Sequence, residues 1–114
     1  ELIKLYLVSG VLVKAEAFFN EMLGYYSTPN KQHLNTIGYD FLEQNAYKLA
    51  IKSFKINIEN HQYSASAYDS LGDAYRESGQ YQLAKENYLQ AVKLAKNNQS
   101  KHIAYFQEQL KSVK

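Results

Sequence analysis

Leu34–Ile58, LNTIGYDFLEQNAYKLAIKSFKINI, recurs thirty-four residues later as Tyr68–Val92, YDSLGDAYRESGQYQLAKENYLQAV. Gly38 aligns with Gly72, and the other equivalences follow from that register. Leu34 pairs with Tyr68, Ile37 with Leu71, Phe41 with Tyr75, Tyr47 with Tyr81, Ala50 with Ala84, and Phe54 with Tyr88. These fourteen residues are the expected repeat core. Within each copy the apolar positions recur at three, four and seven residues, the period of a helix with one buried stripe.

Breakers divide the rest of the chain. Its 114 residues hold one proline and five glycines, in a background rich in Ala, Leu, Lys, Gln and Glu. We expect helices over 31–44, 47–60, 65–78, 81–96 and 100–112, with 1–24 also helical and interrupted near Gly10. Thr28 followed by Pro29 reads as an N-cap and first-turn proline, and Ser64 and Ser100 as further caps. Gly79 stands where a helix should end in a left-handed residue, and Asn45 holds the matching place one repeat earlier.

A helix–turn–helix unit of this length and residue pattern resembles the tetratricopeptide repeat. The resemblance covers about residues 31–96. It implies an all-α, right-handed superhelical array of antiparallel helix pairs. Small residues (Gly38, Ala50, Gly72, Ala84) let paired helices approach, while Phe41, Phe54, Tyr75 and Tyr88 fill the space between pairs. The proline usual after the second helix is replaced by Gln62 and Lys96, and its late small residue is Asn57 in one copy and Ala91 in the other. The expected organisation is a single domain over 1–114. It comprises N-terminal capping helices in 1–27, repeats at 31–63 and 65–97, and a C-terminal cap at 99–112. Phe18, Phe19, Met22 and Leu23 should cover the first repeat, and Ile103, Phe106 and Leu110 the second.

A second resemblance concerns "FFNEMLGYYSTP", "LNTIGYDFL" and "AYDSLGDAY". Over residues 18–94 these phrases are similar to the helical tail after the catalytic domain of some bacterial serine hydrolases, of the α/β-hydrolase esterase or penicillin-binding-protein-like kinds. That likeness implies a bacterial cytoplasmic or periplasmic setting and an accessory role for this segment. The start at Glu1 rather than methionine leads us to expect a larger parent protein.

Composition narrows the function classes. Apolar residues make up 46% and charged residues 21%, as in globular domains, and no cysteine supplies a disulfide or thiolate site. A net charge of +2 does not argue for nucleic acid, and no apolar run is long enough for a membrane span. Eleven tyrosines suggest base stacking, but five of them fall on repeat-core positions; Tyr39 and Tyr63 lie off the core register and are the better candidates for contact with a partner. His33, His61 and His102 sit apart at helix ends, and the only aspartates are Asp40, Asp69 and Asp73. No nucleophile elbow, phosphate loop or metal-ligand spacing occurs, so catalysis, cofactor and metal are not expected of this chain.

In tetratricopeptide arrays the exposed side of each unit's first helix lines a concave groove. The candidate groove residues are Gln32, Asn35, Tyr39 and Glu43 from the first unit and Asp69, Asp73, Arg76 and Glu77 from the second. Asp69, Asp73 and Glu77 are four apart and share one helical face. Grooves that hold acidic chaperone tails use basic residues and asparagine, so the acidic stripe here implies a basic or mixed-charge peptide, or else a solvated face with Arg76 and Lys85 easing repulsion. The stretch LIKLYLVSGVLV is more apolar than one amphipathic face requires. It either folds back as a cap or presents a contact surface. A surface there would suit an upstream catalytic domain or a second copy of the chain through 1–23. The expected partner is thus a protein or peptide.

Overall fold

A computed structural model describes residues 2–25 and 30–113. Among these, seven helices and no strands occur: α1 (Leu2–Val8), α2 (Leu12–Tyr25), α3 (Lys31–Glu43), α4 (Tyr47–Asn60), α5 (Ala65–Glu77), α6 (Tyr81–Asn97) and α7 (Ile103–Lys111). The architecture is an all-helical array in which α3 pairs with α4 and α5 with α6. Neighbouring helices pack in chain order, and α1 and α5 both reach α3.

Four turns share one chemistry. Gly10, Asn45, Gly79 and Gln99 take φ of 78, 59, 84 and 53°. After each, the next amide donates back to the carbonyl five residues earlier: Val11 to Tyr6 (2.8 Å), Ala46 to Phe41 (2.9 Å), Gln80 to Tyr75 (2.8 Å) and Ser100 to Ala95 (2.8 Å). This is the Schellman closure, which satisfies carbonyls orphaned at the helix end. Asn45 and Gly79 are therefore the left-handed residues the sequence indicated, and Gln99 is one it did not.

The N-terminal caps differ in part from expectation. Thr28 and Pro29 lie outside the described residues, and α3 is capped by Asn30, whose side chain accepts from the amides of Gln32 and His33. Ser64 caps α5 through the Ala67 amide. Ser100 does not cap α7. The helix begins three residues later, and Ser100 Oγ accepts from the His102 amide in the turn before it.

Within each hairpin a ring fills a glycine notch. A Cβ on Gly38 would lie 2.3 Å from the Phe54 ring, and one on Gly72 would lie 2.6 Å from the Tyr88 ring. Gly thus permits helix spacing that even Ala would disturb. Leu34, Ile37, Phe41, Ala50, Phe54, Leu71, Tyr75, Ala84 and Tyr88 are buried. Ser53 Oγ and Asn57 Nδ2, on α4, donate to the α3 backbone, at Leu34 O (2.8 Å) and Lys31 O (3.3 Å). Tyr81 departs from the core assignment, being 58% exposed. It is the first residue of α6. Tyr47, first in α4, and Tyr68 are half-buried.

The flanks continue the stack. Phe19 meets Phe41 edge-to-face at 5.4 Å, with Phe18, Met22 and Leu23 beside it. Phe106 packs with Ala91, Val92 and Ala95, joined by Ile103 and Leu110. The N-terminal segment does both things the sequence left open. Ile3 and Leu7 are buried against the array, while Leu2, Leu5, Val8, Leu12 and Val13 stay exposed.

Candidate functional site

The inner layer consists of the first helix of each hairpin, α3 and α5, continued by α7. Its centre is Asp73. Tyr39 Oη donates to Asp73 Oδ2 from α3 at 2.6 Å. From α6, Tyr88 Oη donates to Oδ1 at 2.5 Å, and from α7, Gln109 Nε2 donates to the same oxygen at 2.9 Å. Arg76 approaches Oδ1 at 3.4 Å and also donates to Ser112 Oγ at 3.0 Å. Tyr39 reaches Ser70 Oγ at 3.1 Å, and Ser70 donates to Asn35 Oδ1 at 2.6 Å. One carboxylate therefore ties four helices together with charge-assisted hydrogen bonds.

This arrangement corrects the picture of an open acidic stripe. Asp69 and Asp73 are only 4% and 8% exposed. They are covered because Gln109 of α7 donates toward both, at 3.5 Å to Asp69 Oδ2 and 2.9 Å to Asp73. Of the eight groove candidates, Gln32, Glu43 and Glu77 are exposed, and Asn35, Tyr39 and Arg76 are half-buried. Tyr39 is committed inward rather than free for a partner, its ring edge-on to Phe54 at 5.1 Å. Tyr63 is 77% exposed.

Burial, followed by the nearby Asp73 charge and the hydrogen bond to it, holds the Tyr39 phenol well above its usual range. Burial does the same for Tyr88, with the Asp73 hydrogen bond and charge next. Tyr105, on α7, is raised by burial and then by Asp69. The Asp69 carboxyl is pushed up to about 7, first by burial and then by the Asp73 charge, against a lesser opposing effect of the Gln109 hydrogen bond. The tyrosine hydroxyls keep their protons and act as donors. No group of three acidic, histidine or cysteine side chains among the described residues could hold a metal. No described helix is long and apolar enough to cross a membrane.

Gln109, Ser70 and the hydroxyl of Tyr88 escaped the sequence reading. A signal for one contact was present: Tyr39 and Asp73 are equivalent repeat positions, a donor followed by an acceptor, and equivalent positions of adjacent inner helices meet. Gln109 lies outside the repeat register and offered no such signal.

A second surface lies at the other end of the array. Beside the exposed apolar residues of α1 and α2 is a cleft of ≈ 320 Å³ lined mainly by Leu2, Ile3, Phe18 and Met22, with Glu21, Tyr25 and His33 at its edge. No curated protein matches the chain. Residues 65–98, which hold α5, α6 and the Asn98 cap, match the tetratricopeptide repeat.

Proposed function

We propose that the chain is a protein–protein interaction scaffold whose main contact surface is the apolar face of α1 and α2. One observation carries this. Leu2, Leu5, Val8, Leu12 and Val13 are 44, 60, 70, 44 and 80% exposed within a short segment that buries Ile3 and Leu7 on its other side. Clustered large apolar side chains in water mark a surface that is covered in use. The occupant in this reading is a folded domain of the same parent protein. Likeness to the tails of bacterial serine hydrolases suggests a hydrolase catalytic domain, for which this segment is a non-catalytic accessory.

The concave face is the weaker candidate for a basic or mixed-charge peptide. Its two central carboxyls are buried and face inward.

The test begins with the intact mass of the native gene product. A product several times heavier than 114 residues is expected, and amide exchange at α1 and α2 should then be slower in it than in the isolated chain. Equal exchange in both, or a native product of this length alone, refutes the accessory reading. Light scattering of the isolated chain at high micromolar concentration addresses the other occupant. A dimer that Val8→Lys and Val13→Lys together abolish would assign the face to a second copy.

A further inference from the structure

We propose that Asp69, Asp73 and Gln109 form a proton-operated clasp that holds the C-terminal helix α7 against the inner layer. The two carboxyls, one helical turn apart on α5, are unequally supported. Asp73 has donors from Tyr39, Tyr88 and Gln109 and the charge of Arg76. Asp69 is just as buried but has only Gln109, at 3.5 Å on Oδ2, and among the described residues nothing donates to its Oδ1. An ionised Asp69 would be a second buried negative charge with almost no hydrogen bonding, which is costly. The neutral acid carries no charge to be solvated and avoids that cost.

The surroundings offer the ionised form little relief beyond Gln109 and the charge of Arg76. α3 presents Tyr39, α6 presents Tyr88 and α7 presents Tyr105, all phenols held above their ordinary range. On α5 itself stand Asp73 and Arg76, and Arg76 is already engaged by Asp73 and Ser112. The lysines and the glutamate of α4, Lys48, Lys52, Lys55 and Glu59, are exposed, and Tyr47 is half-buried with its hydroxyl on Asn45. The charge can therefore be accommodated only by admitting water.

The element that can yield is α7. It has nine residues and buries one of them, Phe106. Its polar hold on the layer is Gln109 together with the Arg76 bond to the adjoining Ser112. By contrast α3 to α6 are locked by the glycine notches and the rings in them. Protonation of Asp69 thus favours the docked helix. Its loss favours a state in which α7 lifts and both carboxylates meet solvent, so the concave face gains acidity as pH rises.

The experiment follows the Asp69 carboxyl by carbon NMR and the α7 amides by hydrogen exchange, corrected for intrinsic rates, in the whole chain between pH 5.5 and 8.5. Asp69 should titrate near 7, and α7 should open about thirtyfold more often at the higher pH, with little dependence on added urea. Asp69→Asn should remove the pH dependence. The proposal is overturned by a titration midpoint near 4, by α7 exchange that follows global unfolding, or by an unchanged pH dependence in the variant. The first two readouts need only the wild-type chain, so they decide the matter even if the variant folds poorly.

Discussion

Gly38→Ala is the sharpest test of the glycine notch. The new Cβ would lie 2.3, 2.5 and 2.7 Å from Phe54 Cε1, Cζ and Cδ1. Ordinary carbon contact requires the ring to withdraw by about 1 Å. Phe54 is fully buried and braced by Tyr39 at a centroid distance of 5.1 Å, so the strain cannot be released into solvent. Overpacking of this kind costs about 1–3 kcal/mol, and the enclosed ring argues for the upper end. Replacing a mid-helix glycine by alanine returns about 1 kcal/mol of helix propensity. The net expectation is a loss of about 2 kcal/mol, seen as a fall of about 8 °C in Tm or about 1 M in the urea midpoint. The assay is urea unfolding followed by circular dichroism. Two further variants sharpen it. Gly24→Ala, near the end of α2 with nothing within 4 Å of the added carbon, should be neutral or stabilising by about 0.5 kcal/mol. Combining Gly38→Ala with Phe54→Leu should cost at least about 1 kcal/mol less than the sum of the single changes, because the smaller side chain vacates the notch. A Gly38→Ala protein as stable as wild type, at unchanged m, would show that the ring is not what holds that glycine in place.

The remaining predictions concern caps and charge. Gln99→Gly should stabilise by about 0.5–1 kcal/mol in urea unfolding, since φ of 53° is strained for glutamine and free for glycine. Asn30→Ala, which removes the acceptor for two amides of α3, should cost about 1 kcal/mol in the same assay. Tyr88→Phe deprives a buried carboxylate of a donor and should cost about 1.5–3 kcal/mol, whereas Tyr63→Phe should change nothing. Asp69 binds its proton more tightly folded than unfolded, so its stabilising contribution is complete below about pH 4 and is lost as pH rises through about 7. Between pH 5.5 and 8.5 wild type should therefore lose about 2 kcal/mol relative to Asp69→Asn, a difference that paired urea titrations measure directly.

The elements were legible because their limits are local. Asn30, Asn45, Ser64 and Gly79 mark helix ends by their own chemistry, and the thirty-four-residue repeat set the partners. Gln99 was missed because glutamine has no preference for the left-handed region, and closure of α6 by α7 imposes it. Tyr81 was misplaced because the repeat register assigns a position but not whether a neighbour reaches it. Asp69 and Asp73 were correctly put on one helical face, but what covers that face comes from Gln109, thirty-six and forty residues away. No periodicity reports such a contact. The same holds for the N-terminal segment, where apolar excess was evident and the division between buried and exposed residues depended on docking against α3.

Two kinds of contact therefore hold neighbouring helices here. Within a hairpin the closest one is steric, an aromatic ring against a residue without a side chain, with hydrogen bonds from Ser53, Asn57 and Tyr88 beside it. Between hairpins one apolar core runs from α3 to α6, and on its inner side the Asp73 carboxylate takes donors from α3, α6 and α7. Seating of the last helix therefore depends on the charge at Asp69 and Asp73 as well as on the packing of Phe106 against α6. If the proposed clasp opens with pH, the glycine notches should keep α3 to α6 paired while α7 moves.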